Sequence, residues 1–208
     1  MSVFIHPTAI IEDGVRIGDS TSIWDNVHVR HSTHIGEQCI LGEKSYIAYG
    51  VHIGNRVKIN AFVYICTCVT IEDGVMISAG TIFTNDRFPR AATSDLRKLR
   101  PSEPDEHTLP TLVREGATIG AGSVIGNDLV IGRFAMIGMG SVVTKSVPDF
   151  HLAVGHPARP VGLVCRCGQL LLRVSGEGQF GHSEVICKSC SLSYAVLDGK
   201  VIETAPPL

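Results

Sequence analysis

Charge is scarce in this chain of 208 residues: Asp, Glu, Lys and Arg make up 18%, against a usual share of about a quarter. Eighteen Lys and Arg stand against 20 Asp and Glu, leaving a formal −2. The basic surplus that binds nucleic acid, or a polybasic membrane patch, is therefore missing. Aromatic residues are only 6%, with a single Trp. No apolar run approaches the ~18–20 residues of a membrane helix. The opening Met1-Ser-Val-Phe-Ile-His-Pro has no basic stretch of the kind that starts a secretory signal. These absences predict a soluble, cytoplasmic protein with neither nucleic acid nor membrane as partner. In that compartment seven Cys are not expected to build a disulfide framework. An apolar share of 44% is enough to bury a core and excludes disorder as the main state.

What the chain does have is a period. Every sixth residue from Ile5 to Ile77 is Ile, Val or Leu, 13 in succession, and the lattice resumes at Val113, Ile119, Ile125, Ile131, Ile137 and Val143. Even if a third of all residues were of these types, 19 hits in 19 would arise by chance with a probability on the order of 10⁻⁹. The place two before the lead residue is small or β-branched in nearly every hexad, as at Thr21, Thr33, Cys39 and Ser45, and Gly gathers one and three places after the lead residue. A large aliphatic side chain every six residues suits a short strand bent at a corner, with Gly relieving the backbone there. Three such strands close a triangular coil of 18 residues. Coils of this kind stack about 4.8 Å apart, as parallel strands do.

Residues 5–148 resemble the hexapeptide-repeat proteins. The resemblance implies an all-β, left-handed parallel β-helix, trimers with ligand sites in the grooves between prisms, and, for most members, acyl transfer from acetyl-CoA or an acyl carrier. The handedness comes from the family alone, since the general crossover rule is right-handed.

The lattice is broken once, between Phe83 and Val113. Some 30 residues without repeat in so regular a scaffold point to function, because structureless loops of that length are uncommon. The segment Phe83-Thr-Asn-Asp-Arg-Phe-Pro-Arg90 resembles the Phe-Thr-Asn-(x)₃-Pro-Arg signature of nucleotide-sugar N-acetyltransferases that act on 3-amino sugars. Thr111-Leu-Val-Arg-Glu-Gly-Ala and Val154-Gly-His-Pro-Ala158 resemble the same group. Counting back by 18 aligns His31, Tyr49 and Thr67 with Asn85, beside a column of His28, Tyr46 and Tyr64. Such a strip of rings suits a sugar and nucleotide groove or a contact between trimer subunits.

The resemblance implies direct attack of a sugar amine on the acetyl-CoA thioester, without a dedicated catalytic His. Asn85 and Asp86 are then the candidate catalytic residues, Asn85 orienting the amine and Asp86 serving as acid/base or as a turn cap; His107 is the alternative base. Candidate substrate-binding residues are Arg87, Arg90, Tyr49, Tyr64 and His31. A uronate substrate would use Arg87 or Arg90 for its carboxylate. The layout of the family places acetyl-CoA along the later coils, near Gly140 and Ser141, with Lys145 and Arg159 for its phosphates. Two substrate branches stay open, dTDP-3-amino-dideoxyhexoses and UDP-2-acetamido-3-amino-glucuronate for surface polysaccharide.

Beyond Pro160 the reading changes. Cys165-Arg-Cys167 and, twenty residues on, Cys187-Lys-Ser-Cys190 flank β-like segments and resemble a zinc ribbon, in which four thiolates close a structural site. The first pair is C-x-C where C-x₂-C is usual. Cys39 is expected in the core, whereas Cys66 and Cys68 are expected to face outward on one strand. The chain thus divides into a helix over 1–160, interrupted by the loop 83–112, and a ribbon-like extension over 161–208. A γ-type carbonic anhydrase needs three His ligands, and the only H-x₄-H pair, His151 and His156, lies outside the hexads. A non-catalytic scaffold, or an acyltransferase for another small amine or alcohol, remains the alternative.

Overall fold

A computed structural model describes residues 2–173 and 182–205, so the expected extension over 161–208 is seen only in part. Among the described residues there is no helix, hence none long and apolar enough to cross a membrane. Strands of two or three residues stack into three faces of a parallel β-helix. The register on every face is 18 residues: Ser22 pairs with Ile40 on the first, His28 with Tyr46 on the second, His34 with His52 on the third. One coil therefore equals three hexads, as the sequence period requires.

The lead aliphatics fill the prism. From Ile23 to Ile77 and from Val113 to Val143 each is essentially inaccessible, and burial of such a side chain is worth about 1.5–3 kcal/mol. The small inward residues do a second job. Thr21, Thr33 and Ser45 donate from their hydroxyls to the carbonyls of Gly36, Ala48 and Asn60, each 15 residues ahead, which satisfies corner carbonyls inside the core.

Glycine near the corners has two separate reasons, where the sequence suggests only backbone relief. Gly140, like Gly14 and Gly74, holds a left-handed φ of 68°. The same corner place elsewhere carries Ser20, Gln38, Lys44 or Phe62, so the coil imposes this conformation on whatever residue stands there. Gly42 instead lies against the next coil, where an added Cβ would meet Ala61 N and Asn60 C at 2.7 Å.

The lattice continues one step further than its aliphatics suggest: Phe83 is buried in the core, and Ile82–Phe83 pairs with Val124–Ile125. The inserted loop leaves from that corner. The chain returns to the third face as Thr111–Val113, stacked on Val69–Ile71. The coil ends as Val147 bridges to Ile131 and His151–Gly155 joins the first face beside Met136–Ile137. Ala158–Val164 then turns back antiparallel, so the expected boundary at 160/161 falls within this strand. The strands Ser183–Ile186, Ser193–Leu197 and Lys200–Glu203 form a separate antiparallel sheet. It is tied to the helix end through Phe134, Phe150 and Tyr194, whose rings lie 5.4 and 5.7 Å apart in sequence order.

Candidate active site

The 18-residue register brings the two expected columns together. Tyr46 and Tyr64 stack with centroids 5.4 Å apart, and His31 stacks on Tyr49 at 5.2 Å. Between these columns runs a third, containing Ala48 and Cys66. Here the structure corrects the expectation for Cys66: the residue is buried, at a corner that forms the floor of a cleft flanked by the tyrosines. Burial pushes the Cys66 thiol up to about 12, so it is a neutral wall and not a nucleophile. Cys39 is buried in the core, as expected, and Cys68 is half-buried.

The inserted loop roofs this floor and closes a cleft of about 500 Å³. Asn85 stands at its head. Its amide Nδ2 donates to the Thr67 carbonyl at 3.3 Å, and the Thr67 hydroxyl donates to the Tyr49 carbonyl at 2.9 Å. With one N–H of Nδ2 committed, the amide oxygen of Asn85, an acceptor, and the second N–H are left for a ligand. Asp86 also lines the cleft, but its Oδ1 accepts the N–H of Phe88 at 2.8 Å. That carboxylate caps the first turn of the loop.

The cations divide. Arg90 lines the cleft, with Nη1 donating to its own neighbour's carbonyl, Pro89 O, at 2.8 Å. Arg87 lies outside it, its guanidinium 5.9 Å from the Phe88 ring centroid, and His31 likewise does not line it. His107 packs edge-on against Phe88 at 5.3 Å and does not line the cleft. Arg100, Glu103 and Asp105 line the cleft without having been foreseen. Arg100 donates to Phe88 O at 3.0 Å and pairs with Asp105 at 3.3 Å, so it clamps the two limbs of the loop. No period marks these residues, because an irregular loop held by side-chain caps has none.

The residues assigned to acetyl-CoA lie apart from the loop. Ser141 is fully buried, its hydroxyl donating to Gly138 O at 2.7 Å and accepting from Gly155 N at 3.2 Å. Its side chain is thus a core element, leaving only backbone for a ligand. Gly140 and Lys145 are exposed on the last coil, and Arg159 is exposed on the antiparallel strand that follows it.

In the tail, the sulfur atoms of Cys165, Cys167, Cys187 and Cys190 lie within 4.8 Å of one another. Two of the separations are 3.4 Å (Cys165–Cys190) and 3.6 Å (Cys167–Cys187). Tetrahedral zinc with Zn–S near 2.3 Å needs sulfurs about 3.8 Å apart, so this donor set fits such an ion. The backbone N–H of Cys190, aimed at the Cys187 sulfur, holds that thiol below its ordinary range, while burial pushes the Cys165 thiol up. A smaller cleft of about 360 Å³ lies beside this cluster, lined by Arg56, Asp73, Glu115 and Arg166. Arg166 is spent there on the Phe134 ring, 4.2 Å away, and on Glu203 at 3.0 Å. That cleft therefore reads as a seam between tail and coil.

Residues 14–49 and 50–85 match the bacterial transferase hexapeptide family (six repeats), and residues 33–66 match the hexapeptide repeat of succinyl-transferase. The chain is 44% identical over 91 residues to the dTDP-3-amino-3,6-dideoxy-alpha-D-galactopyranose 3-N-acetyltransferase of Aneurinibacillus thermoaerophilus, a match spanning 44% of this chain and 43% of that protein. It is 52% identical over 50 residues to the serine acetyltransferase of Escherichia coli K12, spanning 24% of this chain and 18% of that one. The chain thus spans less than half the length of either relative. An N-acyltransferase from Bacillus cereus, solved in complex with dTDP and 3-hydroxybutyryl-CoA, superposes with a TM-score of 0.54 at 24% identity, covering 79% of this chain and 81% of the other. That likeness concerns the fold. The repeats matched over residues 14–85 and the same coil carried on to Val143 show that the chain carries the bacterial transferase hexapeptide repeat and the fold built from it.

Proposed function

We propose that this protein is an acetyl-CoA-dependent N-acetyltransferase acting on the 3-amino group of a nucleotide-linked sugar. The observation that carries the reading is the Asn85 amide, held at one N–H by Thr67 with its oxygen left as an acceptor in a cleft walled by tyrosines. An amine nucleophile must present its lone pair to the thioester carbonyl, and an acceptor that takes one of its N–H bonds fixes that orientation. Attack forms the C–N bond and a tetrahedral oxyanion. Collapse breaks the C–S bond, and the departing CoA sulfur takes the proton that the amine sheds. An amine of near-neutral pKa demands no strong base, which agrees with a cleft that holds no His. Asp86 supports the loop in this scheme, and Arg90 is the cation available to the sugar or its phosphates.

The tyrosine rings offer flat apolar faces to a base and a pyranose. The relative from Aneurinibacillus carries a nucleotide-linked 3-amino sugar in its name, which supports the same substrate class here. Acetyl-CoA would run along the last coils past the Gly140 backbone, with Lys145 and Arg159 near its phosphates. Exposed apolar side chains on the prism, among them Trp24, Ile40, Ile82 and Val130, support side-by-side assembly as a homotrimer. Four thiolates would hold a structural zinc ion in the tail, and the setting would be the cytoplasmic synthesis of a surface-polysaccharide sugar. Mass spectrometry of acetyl transfer from acetyl-CoA to UDP- and dTDP-linked 3-amino sugars tests the reading. An acetamido product with one nucleotide series supports it and chooses the branch. No product with any 3-amino sugar overturns it.

A further inference from the structure

Outside the cleft, a cluster of charged and polar contacts lies one to two coils before it. Glu12 Oε1 sits 2.6 Å from Arg30 Nε and accepts from His28 Nε2 at 2.8 Å, while Glu12 Oε2 accepts the backbone N–H of His31 at 3.0 Å. Arg30 then reaches forward. Its Nη1 donates to the hydroxyl of Tyr46 at 2.8 Å, and its guanidinium carbon lies 6.0 Å from the ring centroid of Tyr49. Tyr46 in turn stacks on Tyr64, and all three tyrosines line the cleft. His28 packs edge-on against Tyr46 at 5.4 Å, so both side-chain partners of the Glu12 carboxylate also contact Tyr46. Glu12 and Arg30 themselves do not line the cleft.

We infer that Glu12 and Arg30 are positioning residues for the substrate cleft: they fix the ring of Tyr46, and through it Tyr64, as a preformed platform for the nucleotide end of the substrate. This rests on the proposed nucleotide-sugar reading. Glu12 and Arg30 act by preorganisation. A tyrosine ring on a two-residue strand has two side-chain torsions to lose on binding, and a ring already held at its hydroxyl and its edge has lost them before the ligand arrives. Arg30 suits this role because its planar fork serves a carboxylate and a phenol oxygen at once, which a lysine ammonium on a flexible stem does less well. Glu12 in its turn keeps the guanidinium from swinging into solvent or onto a ligand phosphate. Since the Tyr46 oxygen accepts from Arg30, its own proton stays free to donate to a base or ribose.

The test uses Arg30→Met, Arg30→Lys, Glu12→Gln and Tyr46→Phe in the full chain. Expected is a rise of about tenfold in KM for the nucleotide sugar, and in Kd for UDP or dTDP by calorimetry, in Arg30→Met. The KM for acetyl-CoA stays unmoved and kcat stays within about twofold, with partial rescue in Arg30→Lys. Tyr46→Phe should show a similar loss, and the double variant no more than the larger single, because both cut one link. The free protein supplies a readout that needs no ligand: the ring-flip rate of Tyr46 by NMR should rise at least tenfold in Arg30→Met and in Glu12→Gln. Unchanged flip rates overturn the inference even if no nucleotide binds, and so does nucleotide affinity equal to wild type in Arg30→Met. If flip rates rise as expected while the wild type binds neither UDP nor dTDP and transfers no acetyl group, the inferred link to the ring stands and the nucleotide-sugar reading falls.

Discussion

At the scale of single residues, ionisation exposes the same network to a second kind of measurement. The Glu12 carboxyl is held at about 2, against an ordinary 4.5, first by Arg30 and then by the His31 N–H and His28. Asp73, Asp95 and Asp105 are also held low, by the Asn55 N–H, the Thr93 hydroxyl and the His107 N–H respectively. A carboxylate lowered in the folded state contributes stability that is complete above its unfolded value and lost as the pH falls through its folded one. Thermal stability should therefore decline between pH 4.5 and 2. Glu12→Gln should melt below wild type at pH 6, and that difference should close as pH 2 is approached. A gap that is constant with pH would contradict the assignment of Glu12 as an ionised hub. Residue spacing revealed part of this chemistry in advance. Multiples of 18 set Tyr49 and Thr67 behind Asn85, and the Thr67 carbonyl does hold its amide. Spacing said nothing of Arg100, whose partners Phe88 and Asp105 are fixed by the folding of an aperiodic loop.

At the scale of the repeat, stability depends on how each coil meets the next. The strands are only two or three residues long, so packing of the lead aliphatics and the fit of the corners replace extended strand pairing. Two glycines separate the corner requirements. Gly42→Ala places a Cβ 2.7 Å from the backbone of the next coil and should cost about 3 kcal/mol in urea unfolding. Gly140→Ala meets nothing within 4 Å and bears only its left-handed φ, so its cost should be about 1 kcal/mol. The reverse order would mean that conformation, not close approach, governs these corners. The period was legible because one residue in six must be large and buried on every face. The burial of Cys66 was not: Gly36, Gly42 and Ala48 stand at the same corner place and are buried too, while the aliphatic period does not mark that place as interior.

At the scale of the whole molecule, one prism carries a cleft at its middle and a cysteine-bound sheet at its end. The tail is joined to the coil through Phe134, Phe150 and Tyr194, with the Tyr194 hydroxyl 3.0 Å from the Cys165 sulfur. If zinc closes the four-thiolate cluster, elemental analysis should find one ion per chain, and a strong chelator or Cys187→Ser should lower the melting temperature by several degrees. Protein free of metal that melts unchanged would contradict that role. The sequence period carried the architecture of the prism, while the seam between prism and tail depends on aromatic contacts that no spacing encodes. The account as a whole turns on Asn85. The most direct measurement is the single-turnover rate of acetyl transfer to a nucleotide-linked 3-amino sugar by wild type and by Asn85→Ala, with nucleotide affinity measured on the same samples. The account predicts a rate lower by about 10²-fold with nucleotide affinity retained; an Asn85→Ala protein that transfers acetyl as fast as wild type would contradict it.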